Sequence, residues 1–583
     1  MKPPTPALLF PLLCLFPSLS STHPSTPHPL LTPKVSLGPH DTTLTRRASS
    51  SLTGEGFFPQ LISHSSPDLG TFPQKYWYST EFYSGPGAPI IVFNPGEQAA
   101  TNFNKTYFST ARLPGRIAKA VGGAVVIVEH RYYGESSPFE VLTEKNLEYL
   151  TLENALRDMQ YFARGVDFPF ERVGNGTTGG NGTTGWNGTY QTAGEGRKKG
   201  PWVFTGGSYS GALAGWLARL EQEEEEVGKE RAFWGYYGSS AVVEAIGDFW
   251  EYFVPVLEAM PGNCTRDVVK VVELVDGVLG NGTMEEKEGL KVKFGLGGLT
   301  DEDFAAQLSW GPASLQSTQF YSEKTYGYSP FYRFCDYVEG GYPPSPNSTI
   351  PGDKGVGVQK AVEGYARYMK EDVIPGFCST SGYDEWQDEN STLCLQNSNG
   401  SSLLYTDLSV SNWGNRQWWW LLCNEPFEWW QTTPPPPSSY PRIISKYTTS
   451  EYWKSMCPLF FPNLTFDLAE GKTAVDVNAR TGGWDTTVNV TRTMHTNGEH
   501  DPWRDSTLSS KFRPGGPVTE LEKNGLQVRV VKAGSHCSDL YGPNWEANDD
   551  LEQLVEGAVE EMTRWVGEYY EEKEQSGRGK ARV

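Results

Sequence analysis

Trp202-Val203-Phe204-Thr205-Gly206-Gly207-Ser208-Tyr209-Ser210-Gly211-Ala212-Leu213-Ala214-Gly215-Trp216-Leu217-Ala218-Arg219 is the stretch on which the reading of this chain turns. An apolar run of strand character leads into a glycine-flanked serine, and a helical pattern follows at once. That is the context of a nucleophile elbow, a sharp turn that lifts a hydroxyl above the edge of a sheet. Small neighbours are needed because the backbone is strained and the flanking segments pack closely. The helix N-terminus behind the serine offers amide donors to a developing oxyanion. Ser210 stands where the last glycine of a strict G-x-S-x-G would be, and Gly211 comes one residue later. A Gly- and Ser-rich turn ahead of a helix also serves as a plain N-cap, so the motif needs a base to go with it.

The base is narrowed by chain order. On an α/β-hydrolase core the serine comes first, then an acid, then a histidine. Of the eight histidines, only His495, His500 and His536 follow Ser208, and only His536 leaves room for an acid with its own strand upstream. It lies in Ala533-Gly534-Ser535-His536-Cys537, just after the strand-like run Leu526 to Val531. The acid candidate is Asp501, in Asn497-Gly498-Glu499-His500-Asp501-Pro502-Trp503. Proline fixes the chain after it, and Trp503 is placed to shield the carboxyl from water. Read alone, the one segment is a polar loop and the other an Asn-Gly and Asp-Pro turn.

Together these three segments resemble the prolyl carboxypeptidase and dipeptidyl peptidase II family of serine peptidases. Glu129-His130-Arg131-Tyr132-Tyr133-Gly134-Glu135-Ser136 resembles a family signature after an early strand. Phe57 to Tyr78 resembles the mature N-terminus of the fungal secreted members. The resemblance covers roughly residues 55–570. It implies Ser208 as nucleophile, Asp501 as acid and His536 as base, and cleavage after proline. Departures are Ser210, a longer interval from Asp501 to His536, and the low-complexity insert Asn175 to Gly200. Elbow geometry assigns the oxyanion hole to the Tyr209 amide plus one from the loop after the first core strand, near Gly96-Glu97. No metal or organic cofactor is implied. The expected partners are peptide or protein substrates.

The coarse pattern agrees with this class. Strand-like runs at Ala88 to Phe93, Ala124 to Val128, Trp202 to Thr205 and Phe233 to Val243 are joined by helical patterns, the β-α signature of a mainly parallel sheet. The expected architecture is an α/β-hydrolase core, 56–245 and 479–575, interrupted by a mostly helical cap over 246–478, with an insert at 174–200. Leu551, Leu554, Ala558, Met562, Trp565, Val566 and Tyr569 have helical period and should pack on the sheet. Trp418-Trp419-Trp420 and Trp429-Trp430 read as cap core, with substrate stacking as the alternative.

Residues 1–20 read as a signal peptide. Lys2 precedes an apolar stretch, Leu8 to Leu19, that is broken by Pro11 and Pro17 and too short to span a bilayer. Residues 21–55 are rich in Pro, Ser and Thr and read as disordered or propeptide-like, with Arg46-Arg47 as a candidate processing site. Eleven N-x-Ser/Thr sequons, at Asn104, Asn175, Asn181, Asn187, Asn263, Asn281, Asn347, Asn390, Asn399, Asn463 and Asn489, argue with that signal for a glycoprotein. The expected destination is extracellular, or a vacuole- or lysosome-like compartment, with no membrane anchor. A net charge of −21 and no basic patch exclude nucleic acid as a natural partner.

Eight cysteines become seven if Cys14 leaves with the signal, which predicts at most three disulfides and one free thiol. The family resemblance implies a Cys423–Cys457 pair. Cys378 with Cys394 is paired by proximity in sequence, and Cys537 is the candidate free thiol. An esterase or lipase on the same core, and a catalytically silent glycoprotein used for binding, are the other functions open to this sequence.

Overall fold

The computed structural model describes residues 52–103, 106–171, 200–344, 351–463, 467, 470–487, 490–523 and 525–580. The expected signal peptide, Arg46-Arg47, all of the 174–200 insert except Gly200, and the sequons at Asn104, Asn175, Asn181, Asn187, Asn347 and Asn489 lie outside these residues.

Nine strands form one sheet: β1 Thr53–Leu61, β2 Thr71–Ser79, β3 Ile90–Phe93, β4 Ala124–Val128, β5 Trp202–Gly207, β6 Gly235–Ser239, β7 Thr493–Gly498, β8 Glu520–Lys523 and β9 Leu526–Val531. Their order across the sheet is β1-β2-β4-β3-β5-β6-β7-β9-β8. From β4 to β9 every neighbour pair is parallel, and β1–β2, β2–β4 and β8–β9 are antiparallel. This is the expected α/β-hydrolase sheet, extended at one edge by a hairpin that the sequence pattern did not mark. β1 starts at Thr53, so the strand takes in residues 53–55 of the segment read as disordered or propeptide-like.

Parallel strands covered on both faces are continuously apolar, and alternate residues serve the two sides. Ile90, Val92, Ala124, Val126 and Phe204 join one buried cluster, while Ile91, Phe93, Val125, Ile127 and Val203 join the other. The first cluster takes in the helix Tyr209–Glu226 and the helical region between β6 and β7. The second is closed by Leu113–Val121 and by the terminal helix Asp549–Lys580, through Leu551, Val555, Ala558, Met562, Trp565 and Val566. The strand expected over Phe233 to Val243 runs only from Gly235 to Ser239. Beyond it Ser240 takes a positive φ of 44° and the chain leaves the sheet.

The helical region between β6 and β7 is tied by three disulfides, Cys264–Cys335, Cys378–Cys394 and Cys423–Cys457. The first joins residues 71 apart and had no sequence signal. Cys537 is disulfide-bonded as well, and no cysteine is free among the described residues, which corrects the expected free thiol.

β3 has β4 on one side and β5 on the other, so the chain reverses its direction of winding between β3 and β5. Loops leaving adjacent strand ends at such a point diverge and open a crevice at the C-terminal edge of the sheet. The loop after β3 and the turn after β5 meet there.

His495 sits in β7, fully buried, and neither ring nitrogen has a hydrogen-bond partner among the described residues. Burial pushes its pKa from the ordinary 6.5 down to about 4. A depressed histidine contributes stability that is complete above the unfolded pKa and is lost as pH falls through the folded one. The contribution here is on the order of 3 kcal/mol, lost between about pH 6.5 and 4. His495→Leu should therefore flatten the acid limb of a Tm-against-pH profile in that window. An unchanged limb would assign the acid sensitivity to other groups.

Candidate active site

The turn after β5 has the geometry its sequence demands. Ser208 holds φ 58° and ψ −124°, a conformation that non-glycine residues rarely adopt, and the helix Tyr209–Glu226 starts at the next residue. The glycines around it are required by close approach. A Cβ on Gly206 would lie 2.3 Å from the Ser210 carbonyl oxygen, and one on Gly211 would lie 2.5 Å from that of Ser239. The Ser208 N–H donates to Ser239 O on β6 (2.9 Å), which pins the turn to the sheet. Ser210 Oγ donates to Asn94 O in the loop after β3 (2.7 Å), so the residue that departs from the glycine pattern ties two loops of the crevice together.

His536 reaches Ser208 from the loop after β9. Its Nε2 is 3.1 Å from Ser208 Oγ, and its Nδ1 is 2.7 and 2.8 Å from Asp501 Oδ1 and Oδ2. Both carboxyl oxygens face Nδ1, which makes Nδ1 the protonated nitrogen and leaves Nε2 as the acceptor of the serine hydroxyl. Asp501 is fully buried and its Oδ1 also accepts the Trp503 N–H (2.9 Å). The Trp503 ring lies 6.2 Å from the imidazole, centroid to centroid, and its indole N–H donates to Gln316 Oε1 (3.1 Å). The three candidates, scattered over more than three hundred residues, thus form one hydrogen-bonded chain.

Residues with no motif of their own position this chain. Gln319 Nε2 donates to the His536 carbonyl (3.0 Å), and Ser535 Oγ donates to Leu315 O (2.8 Å), so the helical region grips the histidine loop on either side of the imidazole. Asp539, on the same loop, accepts from Tyr237 Oη and Ser239 Oγ on β6, both at 2.6 Å. Burial pushes its pKa up to about 6. Local sequence carries no signal for these contacts, because each joins segments more than two hundred residues apart.

The loop after β3 touches the elbow. Gly96 has φ 74°, and a Cβ there would sit 3.5 Å from Ser210 Cβ. Its amide donates to Asn94 Oδ1 (2.9 Å), so Gly96 is not a donor to a substrate, a correction to the expected oxyanion set. The amides of Tyr209 and Glu97 remain. Glu97 is buried, and its Oε1 has no partner among the described residues. Burial pushes its pKa up to about 8, so it is neutral at neutral pH and adds no negative charge beside a developing oxyanion.

Of the described sequons, Asn281, Asn390, Asn399 and Asn463 are exposed and Asn263 is half-buried, donating to Glu339 Oε2 (3.2 Å). No helix of the described residues is long and apolar enough to cross a membrane.

Comparison with known proteins places this chain in a family. The chain is 36% identical to the serine protease vicPa of Bipolaris victoriae over 570 residues, 97% of this chain and 96% of that protein. It is 27% identical to a probable extracellular serine carboxypeptidase of Arthroderma benhamiae, over 88% of this chain and 66% of that one. It is 25% identical to the lysosomal Pro-X carboxypeptidase of Mus musculus, over 39% of this chain and 41% of that one. The family model described as serine carboxypeptidase S28 matches residues 63–174 and 189–556, and the chain belongs to this family of serine-type peptidases.

Proposed function

We propose that Ser208, His536 and Asp501 are the nucleophile, base and orienting acid of a secreted, glycosylated peptidase that cleaves after proline. The observation that carries the reading is the single hydrogen-bonded chain from Asp501 through His536 to Ser208, at an elbow whose serine has positive φ. His536 Nε2 takes the Ser208 proton as Oγ attacks the carbonyl carbon. Asp501 holds the imidazole in the tautomer that allows this and stabilises the imidazolium. The tetrahedral oxyanion is met by the Tyr209 and Glu97 amides, each typically worth about 2.7–4 kcal/mol in the transition state. His536 then returns the proton to the leaving amine. Water, deprotonated by the same base, releases the acyl group and restores Ser208.

Preference for proline is supported by the name of the mouse relative and by the indole of Trp503 beside the imidazole, an apolar wall suited to a pyrrolidine ring. Secretion is supported by the apolar leader in the sequence and by the disulfides, which persist in oxidising compartments. Matched peptides with Pro, Ala or Leu before the scissile bond, compared by kcat/KM, test the specificity. Proline should be favoured over leucine by a factor of about 10 or more, because a larger side chain overpacks a close-fitted site. Equal rates would refute the proline preference and leave the triad standing. Faster turnover of p-nitrophenyl esters with no peptide cleavage would refute peptidase action at this site.

A further inference from the structure

A partly open cavity lies in the helical region, lined by none of Ser208, Asp501 and His536. It has a volume of about 200 Å³ and is walled by indole rings, among them Trp310, Trp413, Trp418, Trp429 and Trp453. An apolar cavity of roughly 150 Å³ is enough to hold a benzene ring. No lysine, arginine, histidine, aspartate or glutamate lines it. Its polar lining is neutral, from serine and amide side chains such as Gln307, Asn397 and Gln431.

The indole N–H groups divide into two kinds. Trp310 donates to Gln307 Oε1 (2.9 Å), Trp429 to Glu244 O (2.7 Å) and Trp453 to Gln431 O (2.9 Å). Trp413 Nε1 and Trp418 Nε1 are buried and have no partner among the described residues. Buried indoles ordinarily find an acceptor, because leaving the N–H unmet costs the full desolvation of that group. Two unmet donors on one apolar cavity are therefore a desolvation cost, shared by Trp216 and Trp420 elsewhere among the described residues but here beside space for an occupant. An acceptor-bearing occupant removes it.

We infer that this cavity is a binding site, separate from Ser208, for a neutral, ring-bearing small molecule with a carbonyl acceptor and no charge. The ring stacks among the indoles, and the oxygen takes the Trp413 and Trp418 N–H groups. Charged ligands are excluded because nothing in the lining compensates a charge. The inference does not rest on the catalytic roles proposed above. Two of its walls nevertheless pack on neighbours of the triad: the Trp418 ring is 5.7 Å from that of Tyr209, and Trp429 is 5.9 Å from Trp503.

The test is a ligand-detected NMR titration of the whole enzyme with N,N-dimethylbenzamide, and with isopropylbenzene as the same shape without an acceptor. The amide should bind saturably. The double variant Trp413→Phe/Trp418→Phe keeps the rings and removes both donors. It should weaken the amide by about fivefold or more, as expected for lost net hydrogen bonds, and leave isopropylbenzene unchanged. Ala306→Leu, which fills the cavity from its lining, should weaken both. No saturable binding of the amide would overturn the inference. So would equal amide affinity in the double phenylalanine variant, which would mean that water alone meets the two donors. Full binding in a folded Ala306→Leu variant would place the ligand elsewhere.

Discussion

Ser208→Ala should lower kcat roughly a millionfold, the loss typical of removing a triad serine, while the protein folds as before. The elbow supplies two hydroxyls two residues apart, and the structure separates their tasks. Ser208 Oγ faces His536 Nε2 at 3.1 Å, whereas Ser210 Oγ is committed to the Asn94 carbonyl at 2.7 Å. Ser210→Ala removes one buried hydrogen bond, worth about 1 kcal/mol, and should cost less than about tenfold in kcat/KM. Steady-state kinetics on one peptide substrate compares the two. An inactive Ser210→Ala beside an active Ser208→Ala would reverse the assignment.

Asp501→Asn should cost about 10⁴-fold in kcat with little change in KM. The loss is large because the substitution preserves geometry and inverts one proton. Asp501 Oδ1 accepts the Trp503 N–H at 2.9 Å. With asparagine at 501, the amide oxygen keeps that bond and its NH₂ group faces the imidazole. Nδ1 must then accept, its proton moves to Nε2, and Nε2 no longer takes the serine proton. A loss smaller than about tenfold would show that Asp501 does not set the tautomer, and would direct attention to Asp539, the buried carboxyl on the same loop.

What the sequence disclosed follows the range of the interactions involved. The elbow was legible because strand, strained turn and helix are contiguous from Trp202 to Arg219, and the glycines at 206 and 211 answer contacts within that unit and with the next strand. Buried strands such as Ile90–Phe93 and Ala124–Val128 were legible from apolar runs alone. The hairpin Thr53–Leu61 and Thr71–Ser79 was not marked as strand. Its register pairs Gly54 with Tyr78 and Gly56 with Tyr76, where the tyrosine rings cover the glycines, a match across the ladder that neither strand shows alone. The loop after β3 lies beside the elbow, but the Asn94 side chain that takes the Gly96 amide lies outside any turn rule based on glycine. The Cys264–Cys335 pair and the grip of Gln319 on the His536 carbonyl depend on how the helical region folds over the sheet, which no local period encodes.

The mechanism proposed for this enzyme depends on Ser208 being the nucleophile that His536 activates. Reacting the native enzyme with a fluorophosphonate, then mapping the adduct by peptide mass spectrometry, tests it most directly. One stoichiometric adduct is expected, on the peptide containing Gly206 to Gly211 and localised to Ser208, abolished in Ser208→Ala and strongly slowed in Asp501→Asn. An adduct on Ser210 or on another serine, or an active enzyme that takes no label, would contradict it.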